Sequence, residues 1–186
     1  SVIYTHEHSD QTNGIFEMRP FYWKNKRPIN VYGNIKTIKS LKKRFDYCFT
    51  NSLYYPAIVK GNILKNNFSL GKKEEKVFFK SFNVNHGLTK SLAYVFEKTA
   101  YISDCNDMSI IKMKELKNLK FLVLDCLKMN DNFAHFKLEE CLYVHYHLKP
   151  KTTILTNLHQ DLDYDFLLQR LPNNVLPAYD GLKLNL

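Results

Sequence analysis

Runs of hydrophobic residues along the chain predict an alternation of short strands and helices. Stretches rich in β-branched and aromatic residues predict strands. These stretches are residues 2–5, 29–32, 77–84, 121–124 and 153–155. Residues 93–96 and 100–103 predict the two arms of a hairpin that delivers Asp104. The run at 121–124 is continuously apolar, which is typical of a strand buried on both faces.

Helical periodicity is clearest where Ile35, Ile38, Leu41 and Phe45 recur at near-helical spacing. This spacing predicts an amphipathic helix over residues 34–45. The sequence also predicts helices at residues 138–148 and 162–171 and an edge strand at residues 182–186. Residues 60–76 show no regular pattern and predict a loop. Because strands and helices alternate, we expect an α/β fold with helices covering sheets. The length favours a single domain over residues 1–186.

The composition is that of a folded globular protein. Hydrophobic residues make up 45% of the 186 residues, with twelve Tyr and thirteen Phe, which is more than disordered chains carry. No hydrophobic run approaches the roughly 18 residues that a membrane-spanning helix needs, and the sequence predicts neither a secretory signal nor a membrane partner. The four cysteines are widely spaced and form no CxxC pair, which predicts reduced thiols and a cytoplasmic location.

The net charge of +9 is concentrated in one segment. Residues 19–44 contain nine Lys or Arg and no Asp or Glu. Such a segment favours an anionic partner, either nucleic acid or a phosphorylated small molecule. The alternative is a solvated helix face that serves solubility.

The stretch "THEHSDQTNG" places three candidate metal ligands at alternate positions, His6, His8 and Asp10. A loop directly after a strand can aim alternate side chains at one point, and imidazole and carboxylate are ligands that Zn²⁺ accepts. Two nearby histidines also occur in ordinary surface loops, so the spacing is only moderately specific. Further along the chain, His86 precedes Gly87, whose missing side chain allows close backbone approach.

Four longer stretches of the sequence are more specific than the spacing of these candidate ligands. They are "IYTHEHSDQTNGIFEMRP", "NVNHGLTKSLAYVFEKTAYISDCND", "LVLDCLKMNDNFAHFKLEE" and "ILTNLHQDLDYDFLLQRLPNNVLPAYDGLKL". In them the chain resembles the metallo-β-lactamase-fold hydrolases, and within these the phosphoribosyl cyclic phosphodiesterase branch. The resemblance implies an αββα sandwich. The family's N-terminal strands have no counterpart here, so we expect a homodimer or a second polypeptide to cover the missing part of the sheet.

The resemblance also implies a metal site. His6, His8 and His86 match the three histidines that hold the first metal, Asp104 matches the carboxylate that bridges both metals, and Asp10 matches an acid of the second metal.

The remaining second-metal histidines fall on Gln11 and Gln160, which are poor zinc ligands. We therefore expect one tight zinc and a second position that is weak or empty, or visited by Mn²⁺ or Mg²⁺.

Several other positions match residues that the family places near its substrate. His135 matches a histidine with a proton-donating role, and Asp10, freed from a metal, is a candidate general base. Lys128 and Asn132 stand where an arginine and a histidine are usual, and His159 lies one position before the expected ligand.

Three functions remain open at this stage. The first is a zinc-dependent phosphodiesterase that acts on a small phosphodiester through metal-activated water. The second is a catalytically impaired or inactive remnant of the same fold. The third is an RNA-processing nuclease whose basic segment would bind the backbone.

Overall fold

The computed structural model describes residues 1–185, and at position 73 the main chain only. The chain divides into two compact units, Ser1–Leu70 and Gly71–Leu186, called here the first and the second unit. The single-domain organisation expected from the length stays a prediction. In the described part of the chain, no helix is long and apolar enough to span a bilayer.

The first unit contains a parallel sheet of three strands in the order β1-β2-β3. The strands of this sheet are β1 (Val2–Ile3), β2 (Ile29–Gly33) and β3 (Val59–Ile63). A fourth strand, β4 (Asn67–Leu70), ends the first unit and is not part of this sheet. The helices of the first unit are α1 (Ser9–Thr12), α2 (Arg19–Asn25), α3 (Ile35–Arg44) and α4 (Asp46–Phe49), with a 3-10 helix at Asn13–Met18. The histidine-rich loop follows β1 directly.

Helix α3 forms where the sequence predicts it, because its apolar spacing is matched by an N-terminal cap. The side chain of Asn34 accepts a hydrogen bond from the Thr37 amide at 2.8 Å, which satisfies a free donor of the first turn. Ile38 and Leu41 are buried in the core of the first unit together with Val31 of β2. A side chain at Gly61 would meet Ile38 at 3.1 Å, so a glycine lets α3 approach β3 closely.

In its described residues, the second unit contains six strands in the order β10-β9-β8-β7-β6-β5. They are β5 (Val77–His86), β6 (Thr89–Phe96), β7 (Thr99–Ile102), β8 (Phe121–Asp125), β9 (Thr152–Thr156) and β10 (Val175–Pro177). Its helices are α5 (Leu138–Leu148) and α6 (Tyr164–Arg170), with 3-10 helices at Lys73–Glu75, Met108–Lys112 and Lys114–Leu116. Strands β5, β6 and β7 are antiparallel, and β7 to β10 are parallel.

This topology determines which strand ends meet. Because β5 and β7 both run antiparallel to β6, they are parallel to each other and to β8 and β9. The carboxyl ends of these four strands therefore lie at one edge of the sheet. The buried core beneath this edge is formed mainly by aliphatic residues of the sheet and α5, among them Ile102, Leu122, Leu124, Val144 and Leu155.

Most predicted elements are confirmed, including the hairpin of β6 and β7 and the bounds of α5. Two predictions are wrong. Residues 182–185 form no strand although they alternate, and residue 186 lies outside the described residues. Strand β10 lies at one edge of the sheet instead. The segment 60–76 is not a plain loop, because most of β3 and all of β4 lie in it.

Helix α6 is shorter than predicted. It begins at Tyr164 because the Asp163 side chain accepts a hydrogen bond from the Phe166 amide at 2.8 Å and so caps its first turn.

Candidate metal and catalytic site

Polar residues follow the carboxyl ends of the four parallel strands of the second unit. His86 ends β5, Asp104 lies two residues after β7, Asp125 ends β8, and Asn157 directly follows β9. Asp104 and Asp125 are buried, with 2% and 0% of their surface exposed. Buried carboxylates require partners, because an isolated buried charge is strongly unfavourable.

His86 and Asp104 form the first pair at this edge. His86 Nδ1 lies 2.8 Å from the Ala134 carbonyl oxygen, and since a carbonyl only accepts, Nδ1 carries the hydrogen. In a neutral imidazole the lone pair is then on Nε2, which faces Asp104 Oδ2 at 3.5 Å. A cation placed between the ring nitrogen and the carboxylate oxygen would stabilise this arrangement. The chemistry of this donor pair therefore fits a divalent metal.

Gly87 keeps His86 in this place. It has a φ of 55° in the two-residue turn between β5 and β6, and a Cβ there would meet the Phe133 ring at 3.0 Å. This confirms the prediction that the missing side chain of Gly87 allows another segment to approach closely. That segment contains Phe133 and Ala134, and His135 follows directly.

His135 and Asp125 form the second pair. His135 Nδ1 lies 2.7 Å from Asp125 Oδ2, and His135 Nε2 lies 3.8 Å from Asp104 Oδ2. Burial raises the pKa of Asp125, although hydrogen bonds from His135, the Cys105 amide and Asn157 act in the opposite direction. The carboxylate fixes the imidazole tautomer, with hydrogen on Nδ1, and directs Nε2 towards Asp104.

Asn157 connects the two carboxylates. Its Nδ2 lies 3.2 Å from Asp104 Oδ1 and 2.9 Å from Asp125 Oδ1. Its backbone has a φ of 62°, a left-handed conformation that asparagine adopts more readily than most residues. Ser103 also donates to Asp104 Oδ1, at 2.7 Å.

The first unit holds His6 and His8 on the loop after β1. His6 is fully buried and His8 is exposed, their ring centroids are 4.5 Å apart, and their ligand atoms lie within 4.8 Å of each other. The hydroxyl of Thr5 contacts His6 Nδ1 at 3.0 Å. Two imidazoles at this separation can bind the same cation.

Helix α3 anchors this histidine loop through Glu7, the residue between the two histidines. Lys36 Nζ lies 2.6 Å from Glu7 Oε1, and Arg44 donates to the Glu7 carbonyl at 2.5 Å and to Thr12 Oγ1 at 3.0 Å. Burial raises the pKa of Glu7, but the hydrogen bond and charge of Lys36, a backbone hydrogen bond and the nearby His6 act together in the opposite direction, and the net shift is downward. Part of the basic segment is therefore used inside the first unit.

Asp10 and Gln11 are neighbours on α1. Gln11 Nε2 donates to Asp10 Oδ2 at 3.0 Å, and Asp10 is exposed. The amide thus binds the carboxylate that was predicted to hold a second metal or to act as a general base.

The remaining predicted residues have mainly local partners. Asn132 accepts hydrogen bonds from the amides of Ala134 and His135, at 2.9 and 3.2 Å, and so shapes the turn before His135. His159 is paired with Asp161, and Gln160 is exposed.

Lys128 is half-buried, and its carbonyl accepts from the Leu138 amide at 2.9 Å. His145 is buried, and its Nδ1 lies 2.8 Å from Thr153 Oγ1.

Sequence reasoning missed the roles of Asp125 and Asn157. Asp125 carried a signal, because a charged residue that ends a continuous apolar strand requires a buried partner. Asn157 carried a weaker signal, since asparagine after a strand is also common in ordinary turns.

Comparison with known proteins gives a consistent result. The family model described as "Beta-lactamase superfamily domain" matches residues 1–157. The crystal structure of a diphosphatase from the PhnP family is similar with a TM-score of 0.83 and 28% identity, over 99% of this chain and 70% of that one. The metallo-beta-lactamase fold protein YhfI from Bacillus subtilis is similar with a TM-score of 0.72 and 16% identity, over 98% of this chain and 76% of that one.

A curated relative is an octanoyltransferase of Porphyromonas gingivalis (strain ATCC BAA-308 / W83), which is 23% identical over 186 residues. The match covers 98% of this chain and 37% of that protein, so the chain spans little more than a third of the relative's length.

Proposed function

The chain belongs to the beta-lactamase superfamily, and we propose that it is a metal-dependent hydrolase of a small phosphodiester. The observation that carries the proposal is the pair His135–Asp125 beside the pair His86–Asp104, at one edge of the sheet. One pair fits a metal, and the other fits proton transfer.

The proposed metal ligands are His6, His8, His86 and Asp104. The two histidines of the first unit are arranged as a pair by their own loop, and His86 and Asp104 are arranged as a pair by the second unit. Family membership supports their joining at one ion. Three imidazoles and one carboxylate are a donor set typical of zinc.

A bound divalent cation would supply Lewis-acid polarisation of a phosphoryl oxygen and activation of water. The protein's own residues then handle protons. His135, held by Asp125 through Nδ1, would donate a proton from Nε2 to the departing oxygen, and the buried carboxylate would stabilise the imidazolium beforehand. Asp10 is proposed to orient the attacking water or to accept its proton.

Two observations support a phosphate-bearing substrate. The PhnP-family protein with 28% identity is described as a diphosphatase, and the net charge of +9 favours anions. Both support an anionic, phosphorylated substrate, and within that class we propose a small phosphodiester. RNA is a second candidate substrate, because Lys39, Lys42 and Lys43 are exposed on α3.

An impaired enzyme is the main alternative to an active one. The side chains of Gln11 and Asn157 both donate to carboxylates that could otherwise serve a metal. We therefore expect a turnover below that of dinuclear relatives, since one cation cannot support attacking and leaving oxygens together.

The test compares two substrates in the protein as purified and in a His135→Gln variant. Bis(p-nitrophenyl) phosphate has a good leaving group that needs little help from an acid, whereas a 2′,3′-cyclic nucleotide has a poor alkoxide leaving group. We expect the variant to lose about 10²–10⁴-fold on the cyclic substrate and much less on the aryl ester. His147→Gln on the exposed face of α5 is the matched control and should be unchanged.

The reaction assigned to His135 is contradicted if the variant cleaves both substrates as fast as the original chain. If the original chain binds zinc but cleaves neither substrate, the impaired alternative replaces the enzyme. Retention of activity in the presence of a strong chelator, with no metal left on the protein, would refute metal dependence.

A further inference from the structure

We infer that Asn157 holds Asp104 as the ligand of a single cation, and that Asn157 rather than Gln160 closes the second metal position. This inference rests on the proposed function, because it concerns how many ions the same site takes.

The two oxygens of Asp104 have different surroundings. Oδ2 faces His86 Nε2 at 3.5 Å and His135 Nε2 at 3.8 Å. Oδ1 accepts hydrogen bonds from Ser103 Oγ at 2.7 Å and from Asn157 Nδ2 at 3.2 Å. A carboxylate that bridges two cations offers one oxygen to each of them. In this chain one of the two oxygens already has two protein donors, so Asp104 is arranged for one cation on its Oδ2 side.

The orientation of the Asn157 amide is fixed by its partners. Its Nδ2 lies between two carboxylate oxygens, Asp104 Oδ1 and Asp125 Oδ1, and only the NH₂ group can donate to both. An amide nitrogen has no lone pair available for a metal. A second cation near Oδ1 would have to break two hydrogen bonds to buried carboxylates, and such charge-assisted bonds are among the stronger ones in proteins.

A side-chain amide also donates a hydrogen bond to Asp10, the other carboxylate that the resemblance assigns to the second metal. Gln11 Nε2 donates to Asp10 Oδ2 at 3.0 Å. At both positions a neutral amide donates a hydrogen bond where a second cation would require the carboxylate oxygen. The two substitutions are therefore chemically equivalent, although they lie 146 positions apart in the sequence and in different units.

Gln160 does not share this arrangement. It is exposed and follows His159, which is paired with Asp161 in the same loop. The family resemblance implies a missing second-metal ligand at Gln160, whereas Asn157 of the loop after β9 donates a hydrogen bond to Asp104. We therefore assign the missing ligand of this loop to position 157.

The experiment measures metal per chain by elemental mass spectrometry after loading with zinc and removal of the excess. The samples are the original chain, Gln11→His, Gln11→His with Asn157→His, and Gln11→His with Gln160→His. Histidine tolerates a positive φ better than most residues, so it suits position 157. Gln11→His with Asn157→Asp is a second way to supply a ligand there, and circular dichroism verifies folding of every sample.

We expect one zinc in the original chain, in Gln11→His and in the Gln160 double variant, and two in a double variant at position 157. Two zinc ions in the Gln160 double variant, with one in both position-157 variants, would overturn the inference. Two in the original chain would also overturn it but leave the metal-dependent hydrolase intact. None in the original chain would refute the proposed function itself.

Discussion

Replacing Asp125 with asparagine should destabilise the second unit and release His135. The two residues have the same shape, but asparagine carries one acceptor where aspartate carries two. Asp125 Oδ2 accepts from the Cys105 amide at 2.8 Å and faces His135 Nδ1 at 2.7 Å, and Oδ1 accepts from Asn157 at 2.9 Å. If the new carbonyl oxygen takes the Oδ2 position, the new NH₂ group faces the NH₂ group of Asn157.

Rotation of Asn157 cannot resolve this conflict. A flipped amide would accept from position 125 but would present its oxygen to Asp104 Oδ1, an acceptor facing an acceptor. One buried polar group stays unsatisfied in either orientation, which costs about 1–3 kcal/mol, and loss of the charged acceptor weakens the other hydrogen bonds by about 1 kcal/mol. We expect the free energy of unfolding to fall by about 2–4 kcal/mol in total.

The assay is urea unfolding followed by far-ultraviolet circular dichroism, with and without added zinc. Asp180→Asn makes the same chemical change at an exposed position and should shift the free energy of unfolding by less than about 0.5 kcal/mol. An Asp125→Asn variant as stable as this control would refute the hydrogen-bond arrangement at the strand ends.

Three further predictions concern a glycine with positive φ, the buried thiols and a buried histidine. Gly87→Ala should lower the free energy of unfolding by about 1–3 kcal/mol, because φ is 55° and the new Cβ meets the Phe133 ring at 3.0 Å. Gly14→Ala, with no atom within 4 Å of its Cβ, should be nearly neutral in the same urea unfolding assay. A thiol reagent should react slowly with the folded protein, because all four cysteines are buried, namely Cys48, Cys105, Cys126 and Cys141. After unfolding it should modify all four thiols. One thiol that reacts fast in the folded protein would contradict this. Burial lowers the pKa of His145 below its usual 6.5, although a hydrogen bond that the ring donates to the Asn174 side chain acts in the opposite direction. The folded state therefore favours the neutral ring, and stability should decline as pH falls below about 6.5. Thermal melts at pH 7.5 and 5.0 should show a smaller decline in His145→Gln, and an equal decline would show that His145 does not contribute.

Elements with a strong local pattern were predictable from the sequence. Helix α3 combines apolar spacing with the Asn34 cap, and α5 agrees with its predicted bounds. Strand β3 was missed because Lys60 and Asn62 dilute its pattern and Gly61 serves the approach of α3 rather than strand formation. The last residues alternate well, but alternation does not supply a neighbouring strand to pair with.

The residues of the candidate site also differ in how far the sequence predicts them. The histidines and Asp104 could be proposed as metal ligands because the family resemblance assigns each of them a position. Asp125 and Asn157 act through contacts between residues distant in sequence, such as Asn157 with Asp104, and no local pattern encodes such a contact. The assignment of the missing ligand to Gln160 stays a prediction, and our inference places it at Asn157 instead, because a one-dimensional correspondence does not say which residue of a loop contacts the carboxylate.

The most direct test of the metal site is a crystal structure of the zinc-loaded protein with anomalous diffraction data collected at the zinc edge. We predict one anomalous peak, with His6, His8, His86 and Asp104 at about 2.0–2.2 Å from it. A peak elsewhere, or no peak beside His86 and Asp104 in a fully loaded sample, would contradict the proposal that these four residues form the metal centre of a hydrolase.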